Sequence, residues 1–353
     1  MLSTKIVKVD PESPEEDYLK EAADILRSGG LVIIPTETVY GIAANMLNKK
    51  TLERLCEIKN RPKEKLFSLH IYEKAKIEEF AKDVPVSAYK LIDKFWPGPL
   101  TLIVRAKTQS NIGIRMPDNK IALSVLTRAE VPIVCPSANI SGKPAPINFP
   151  DAIKDFGGVV DFAIDAGNTR LGLESSVVDL TVTPPRILRE GAIKKEDIEA
   201  ATKKKVVLFV CTGNSCRSVM AKALLEKIMK EKERDNVEVL SAGIMMLVGM
   251  GATEPTKEIL KREGMDVSGH VSQRVTEDML KRSDMILVME RLQEKRILAI
   301  APQAKNRLFL LKEFAKISDN GFDIADPIGK PIEFYEKTFR IIKEAIERIS
   351  SII

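Results

Sequence analysis

The chain has 353 residues, 44% hydrophobic and 30% charged, and its 55 Lys+Arg against 50 Asp+Glu leave a formal net charge of +5. That length suggests two domains, and the charge is even along it: residues 1–204 carry 30 basic and 28 acidic side chains and the rest 25 and 22, without the basic excess of a dedicated nucleic-acid binder. There is no bilayer-length apolar run and no apolar core after Lys5 and Lys8, and four cysteines with two histidines make neither a disulfide framework nor a C-x-x-C metal site, so a cytoplasmic protein with no bound structural metal is expected.

In chain order, residues 17–28 read as an amphipathic helix closed by Gly29-Gly30, and residues 31–34 as a short buried strand. Residues 51–59 read as helical, and residues 99–104, 131–135, 176–180 and 186–189 as further strands. Strands and helices mix without strict alternation, so a twisted, mixed α/β domain is expected here. The charged stretch Lys194-Lys195-Glu196-Asp197 to Lys203-Lys204-Lys205 reads as a connecting helix or linker, which divides the chain into domains 1–200 and 201–353. Beyond it, strands at 205–211, 236–241, 284–289 and 307–311 alternate with helices at 216–231, 255–264, 275–283, 291–300 and 333–350. That alternation predicts a parallel-sheet α/β sandwich with its site at the carboxyl ends of the strands.

The first domain concentrates hydroxyls and cations around its apolar strands. Pro35-Thr36-Glu37-Thr38-Val39-Tyr40-Gly41 follows the strand at 31–34, and Lys59-Asn60-Arg61-Pro62-Lys63-Glu64-Lys65 and Ser68-Leu69-His70 come next. Side chains alternate along an extended segment, which puts Lys59 and Arg61 on one side of it, two cations suited to a polyphosphate. Arg115 in Ile114-Arg115-Met116-Pro117, Ser137 and Asn139 in Cys135-Pro136-Ser137-Ala138-Asn139, Ser175 after Glu174, and Arg189 before Glu190-Gly191 complete the set. Taken singly, a basic run is more often a solvated face than a site, and a lone histidine more often a satisfied core residue. In this order, over roughly residues 5–195, the set resembles the YrdC-type threonylcarbamoyl-AMP synthases.

The resemblance implies formation of L-threonylcarbamoyladenylate from L-threonine, bicarbonate and ATP, with release of pyrophosphate. The product would pass to downstream enzymes of tRNA threonylcarbamoyladenosine modification. It implies Lys59, Arg61, Lys65 and Arg189 at the triphosphate, with Mg2+ accompanying the ATP, and Ser137 and Asn139 on the nucleotide. Thr38, His70, Arg115 and Ser175 would line the threonine pocket, with Arg115 on the carboxylate. Positioning and charge neutralisation carry this chemistry, and no protein nucleophile is required.

In the second domain, an apolar run ends in Cys211-Thr212-Gly213-Asn214-Ser215-Cys216-Arg217-Ser218. This reads as strand, tight loop and helix start, a natural anion cradle of converging amides. Gly213 and Asn214 are the residues expected to take left-handed backbone angles. Cys211 at the loop start sits in a positive field that favours the thiolate. Arg217 offers a planar fork for two phosphate oxygens, and Ser218 a hydroxyl for the sulfur. A thiolate beneath a bound phosphate is arranged for in-line phosphoryl transfer to sulfur, and Asp326 in Ala325-Asp326-Pro327-Ile328-Gly329 is the candidate acid for the departing group.

Residues 205–353 resemble the low-molecular-weight protein tyrosine phosphatases. The resemblance implies that Thr212, Gly213, Asn214, Ser215 and Cys216 wrap the phosphate of a phosphoprotein substrate. It also implies that Asp326 serves first as acid, then as base for the water that hydrolyses a cysteinyl-phosphate. Ile328-Gly329-Lys330 replaces the usual aromatics after Asp-Pro, and Ser215 is polar, as in the protein-arginine phosphatase branch. Phosphoarginine therefore stands slightly ahead of phosphotyrosine, with both open. Cys216 either packs as a small thiol or forms a reversible disulfide with Cys211. A second reading takes the first domain as a double-stranded RNA-binding module and the second as an arsenate-reductase-like redox domain. Balanced charge counts against the former, and the lack of any cysteine after Cys216 counts against a thiol relay. No membrane partner and no strong direct nucleic-acid binding are expected.

Overall fold

The computed structural model describes residues 3–62, 67–108, 110–245, 249–317 and 321–353. Backbone contacts divide the chain into two compact units, Met1–Ala201 and Thr202–Ile353.

The first unit is built on a ten-stranded mixed sheet. Across the sheet its strands run Lys5–Lys8, Phe162–Asp165, Val32–Ile34, Gly41–Asn45, Ile133–Val134, Leu69–His70, Asn111–Arg115, Leu100–Arg105, Ser176–Asp179 and Arg186–Arg189. The run at 31–34 is apolar throughout because both its faces are covered. Val32 and Ile34 pack into one core with Leu19, Leu26 and Val125, while Leu31 and Ile33 pack into the other with Tyr40, Leu55 and Phe156. The helix Glu16–Arg27 supplies the first of these cores by burying Leu19, Ala22, Ala23 and Leu26, a single stripe at helical spacing.

Register then places the chemistry. The short strand Leu69–His70 runs parallel to Asn111–Arg115 with His70 opposite Arg115. A single bridge joins Gly41 to Ser137, and the strand after Ser175 pairs with Leu100–Arg105. One expectation fails here. Lys59 and Arg61 do not alternate along an extended segment. Lys59 closes the helix Lys49–Ile58 in helical geometry (φ −91°, ψ −3°), and Asn60 turns the chain out through φ +48°. Asparagine tolerates that angle, so the sequence ends the helix there rather than opening a strand.

The second unit has four parallel strands in the order Val237–Gly243, Lys205–Cys211, Met285–Val288, Leu308–Leu310. Neighbours on the two sides of Lys205–Cys211 follow it in opposite directions across the sheet. A crevice therefore opens beyond its carboxyl end, where Cys211 stands. Helices Arg217–Glu231 and Ile332–Ile349 pack one face, while Leu280, Ile297 and Ala301 belong to the core on the other. Among the described residues, no helix is long and apolar enough to cross a membrane.

Candidate active sites

In the first unit a cleft of about 440 Å³ is lined by Arg61, His70, Arg115, Ser137, Ser175 and Arg189, six of the residues singled out from the sequence. Lys65 lies outside the described residues. Thr38, Lys59 and Asn139 stand behind the wall. Thr38 is fully buried and accepts from Nη2 of Arg115 at 2.9 Å. Lys59 is also buried, and its Nζ donates to the carbonyls of Asn139 (2.6 Å) and Ser137, so it staples the 137–139 loop. Burial, and then the nearby Arg61, push its ammonium down to about 8. Asn139 braces the same loop by accepting from the Ser137 hydroxyl and donating to the Lys143 carbonyl at 2.6 Å.

The cleft floor is a buried ion pair. Nη2 of Arg115 lies 2.7 Å from Oε1 of Glu37, with the side chains 6% and 1% exposed. Nε of Arg115 has no hydrogen-bond partner, and neither does Nδ1 of His70. Burial first, and then the adjacent guanidinium, push His70 down to about 3, so its imidazole is neutral near pH 7. Its ring is bonded to the Ser68 backbone. Two buried polar atoms without partners thus belong to residues facing one cavity, an arrangement that calls for a polar ligand.

Above this floor, Arg189 reaches Glu174 (2.7 Å), the Ser175 carbonyl (2.9 Å) and the Ser175 hydroxyl (3.2 Å). The Ser175 hydroxyl also meets Oγ1 of Thr101 at 2.9 Å. Gly191 lies so close that a Cβ there would stand 2.2 Å from the Glu174 carbonyl oxygen. The guanidinium of Arg61 stacks on Phe67 at 4.8 Å. A neutral imidazole, three guanidiniums and several hydroxyls suit a ligand carrying both carboxylate and phosphate. Glu37 was not singled out from the sequence. The signal was available, since an acid inside a run of apolar and hydroxyl residues needs a buried counter-charge.

In the second unit, the Cys211 thiol is 2% exposed. Its sulfur lies 3.0 Å from Oγ of Ser218 and accepts from the Asn214 amide at 3.3 Å. Asn214 takes the expected left-handed angle (φ +54°), but Gly213 is not among the positive-φ residues, so the turn needs only one such position. Asn214 is further held by its amide to Ser218 (2.9 Å), by the Gln273 amide (3.0 Å) and by Nε2 of His270 on its carbonyl (2.7 Å). Gly243 pairs in register with Cys211, and a Cβ there would stand 2.8 Å from the Thr212 carbonyl oxygen.

Arg217 opens the helix behind the loop and is 1% exposed, but its fork is already engaged. It meets Asp326, Glu290 (2.9 Å), the Ile324 carbonyl (2.8 Å) and the Thr212 hydroxyl (3.1 Å), while its Nε is unpartnered. Asp326 therefore stands at the loop, on its arginine, and also accepts from the Ile328 amide at 3.2 Å. Gln293 donates to the Thr212 hydroxyl (3.2 Å) and to Glu290 (2.9 Å). Glu290 and Gln293 were missed, although Glu-x-x-Gln between a strand and a helix is a capping-box signature, which the helix Arg291–Ile300 completes. The Cys216 sulfur lies 3.6 Å from Ser215 Oγ, 3.4 Å from Thr253 Oγ1 and 4.0 Å from the Tyr335 hydroxyl. All four cysteines are free. Among the described residues no group of three His, Cys, Asp or Glu side chains is placed to hold a metal ion.

Residues 24–191 match the Sua5/YciO/YrdC family, described as "Telomere recombination", and residues 206–352 match the "Low molecular weight phosphotyrosine protein phosphatase" family. A threonylcarbamoyl-AMP synthase of Pyrococcus abyssi is 43% identical over 197 residues, covering 53% of this chain and 58% of its own length. A shorter putative threonylcarbamoyl-AMP synthase of Methanocaldococcus jannaschii, 36% identical, is covered over 95% of its length and 54% of this chain. A protein-arginine-phosphatase of Geobacillus stearothermophilus is 38% identical over 144 residues, 41% of this chain and 93% of the relative. The crystal structure of P. abyssi Sua5 complexed with L-threonine superposes with a TM-score of 0.54 at 28% identity, over 87% of this chain and 99% of that one. The chain thus spans little more than half the length of the longer curated synthases it matches. The double-stranded RNA-binding and redox readings find no support in these relatives.

Proposed function

The chain belongs to the Sua5/YciO/YrdC family by residues 24–191 and to the low-molecular-weight phosphatase family by residues 206–352, and from that premise we propose two activities on one polypeptide. The first unit, with its boundary near residue 200, forms L-threonylcarbamoyladenylate. The amine of threonine attacks the carbon of bicarbonate and water leaves; a carbamate oxygen then attacks the α-phosphorus of ATP and pyrophosphate departs. Arg115, held by Glu37, takes the threonine carboxylate, and Thr38, His70 and Ser175 complete that pocket. Arg61 and Arg189, which line the cleft, neutralise the triphosphate, and Mg2+ arrives with the nucleotide. Ser137 and Asn139 hold the nucleotide on the loop that Lys59 staples. The product feeds the enzymes that complete threonylcarbamoyladenosine on tRNA.

The observation that carries this reading is the convergence on one cleft of six residues that are spread along the chain from Arg61 to Arg189. Pyrophosphate release that requires threonine and bicarbonate together tests it. Salt-sensitive RNA binding without that release would refute it.

The second unit hydrolyses a phosphoprotein. The Cys211 sulfur attacks phosphorus in line, Asp326 protonates the leaving group, and Asp326 then takes a proton from the water that cleaves the sulfur–phosphorus bond. Thr212, Gly213, Asn214, Ser215 and Cys216 surround the phosphate, Arg217 clamps it, and Ser218 holds the sulfur. Phosphoarginine is the preferred substrate over phosphotyrosine, on the polar Ser215 and on the likeness to a protein-arginine-phosphatase. A reducing cytoplasm suits a nucleophile that must stay a free thiol. The carrying observation is the sulfur bonded to the Asn214 amide and Ser218 at the head of a 15-residue helix. Cys211→Ser should abolish phosphate release while the first unit keeps its activity. Residual turnover within tenfold of the parent would sink the mechanism.

A further inference from the structure

Gln293 is wholly buried in the second unit, and its amide uses every hydrogen bond it can make. Its Oε1 accepts from the Met289 and Glu290 amides at 2.8 and 3.1 Å. That turns Nε2 the other way, where it donates to Oε2 of Glu290 at 2.9 Å and to the Thr212 hydroxyl at 3.2 Å. The bond to the Glu290 amide belongs to the capping box of the helix Arg291–Ile300, and a glutamate would accept it equally well. The two bonds from Nε2 need a donor, which glutamate lacks when ionised. Both of their acceptors are partners of Arg217.

A guanidinium has five N–H groups, and those of Arg217 can be assigned one by one. Nη1 donates to the Ile324 carbonyl at 2.8 Å and lies 2.9 Å from Oε2 of Glu290. Nη2 donates to the Thr212 hydroxyl at 3.1 Å and to Asp326, while Nε has no partner. Asp326 is the partly exposed partner, the one that an entering phosphate can replace. Ile324, Glu290 and Thr212 then keep the plane of the fork fixed, and Gln293 holds two of these three. The same bond gives Thr212 a direction. Its hydroxyl oxygen has two lone pairs and one proton, and Nε2 of Gln293 and Nη2 of Arg217 take the lone pairs. The proton is therefore turned away from both, available to a phosphate oxygen that takes the place of Asp326 on Nη2. We propose that Gln293 is a positioning residue of the phosphate site, aligning Arg217 through Glu290 and setting the Thr212 hydroxyl as a donor to the substrate. The proposal rests on the phosphatase reading and adds to it a residue whose four hydrogen bonds are all to protein.

The test uses the full chain, with threonine-dependent pyrophosphate release as the internal standard. Gln293→Glu keeps the acceptor for the two amides and removes both donors, and Gln293→Met removes all four bonds at similar length. Three quantities are read: kcat/KM on a small aryl phosphate, alkylation of Cys211 by neutral iodoacetamide, and the inorganic phosphate concentration that halves this alkylation. Both variants are expected to lower kcat/KM about tenfold and to raise the protecting phosphate concentration about tenfold, as the loss of one aligned hydrogen bond to a charged group does. Alkylation without phosphate should stay within about twofold, because Asn214 and Ser218 hold the sulfur independently of Gln293. Gln293→Glu with the kcat/KM of the parent would overturn the proposal and leave Gln293 a helix cap. A fall in alkylation as large as the fall in turnover would overturn it too, as the mark of a loop that has lost its fold. A parent chain that turns over no aryl phosphate would refute the phosphatase reading and the proposal with it.

Discussion

Replacing Gly243 by alanine isolates the geometry of the phosphate loop from its chemistry. Gly243 ends the strand Val237–Gly243 and carries no left-handed backbone angle, so alanine is conformationally acceptable there. The added Cβ would nonetheless lie 2.8 Å from the Thr212 carbonyl oxygen and 3.0 Å from both the Asn214 nitrogen and the Gly213 carbonyl carbon. All three are loop backbone, and ordinary contacts are about 3.5–4.0 Å, so the loop must retreat by about half an ångström or more. Gly243 cannot give way instead, because its amide donates to Gln273 at 2.9 Å and its carbonyl accepts from Val275 at 2.8 Å. Overpacking of this kind costs about 1–3 kcal/mol of stability. Displacement of reacting groups by 1 Å costs on the order of 10²-fold, so kcat should fall about 10- to 100-fold. The assay is hydrolysis of a small aryl phosphate, with threonine-dependent pyrophosphate release in the same sample as the internal standard. A kcat within twofold of the parent would show that the close approach of this strand does not set the loop, and the steric argument would be wrong.

Four further outcomes follow from the same geometry. Gly191→Ala should do the reverse, displacing Ser175 and Glu174, abolishing pyrophosphate release and sparing the phosphatase. Glu37→Gln removes the counter-charge of a buried arginine, which should cost about 3 kcal/mol of first-unit stability and raise KM for threonine well above any change for ATP. Lys59→Met leaves the carbonyls of Ser137 and Asn139 without their donor and should raise KM for ATP about tenfold while KM for threonine holds. His70 carries a pH signature: its folded value of about 3 lies below the unfolded 6.5, so the unfolded chain binds the proton first on acidification. Its contribution to stability is complete above pH 6.5 and declines as pH falls toward 3, by about 2 kcal/mol at pH 5. Calorimetry at pH 7 and 5 should show this acid loss, and His70→Gln should flatten it.

Much of this could be read from the sequence, for reasons that differ between the units. In the second unit all four strands and five of the helices were legible, because short apolar runs alternate with amphipathic ones and each parallel strand is buried on both faces, whereas the short helix Leu311–Phe314, a single turn straight after a strand, was not. In the first unit the strands Gly41–Asn45, Leu69–His70, Asn111–Arg115 and Phe162–Asp165 carried no such signal. Gly41-Ile42-Ala43-Ala44-Asn45 is small-residue chain, and Leu69-His70 is too short for a period to show. Both are strands because their neighbours pair with them, a tertiary effect. The site residues were legible as a set, but the direction of each side chain was not. Lys59 was expected on an extended segment beside Arg61; it closes a helix, and its Nζ donates to two carbonyls of the 137–139 loop.

The feature least visible in sequence is the same in both units. The arginines assigned to substrate anions are already paired: Arg115 with Glu37, Arg189 with Glu174, and Arg217 with Glu290 and Asp326. A guanidinium held in a buried wall without a counter-charge would cost several kcal/mol, so a preformed anion site needs carboxylates of its own. The two buried cases differ in what the carboxylates can do next. Glu37 is 1% exposed behind the cleft and does not line it, so it stays in place and holds Arg115, which does line the cleft, as a fixed fork. Asp326 is 31% exposed on a Pro-Ile-Gly turn, so a phosphate dianion can take its place on Arg217 while Glu290 remains. On the proposed phosphatase mechanism, displacement at that point would free the Asp326 carboxyl to serve the leaving group and would couple substrate entry to assembly of the acid. On the two proposed activities, the first site would be rigid for a ligand that must be aligned with two others, and the second would exchange one anion for another.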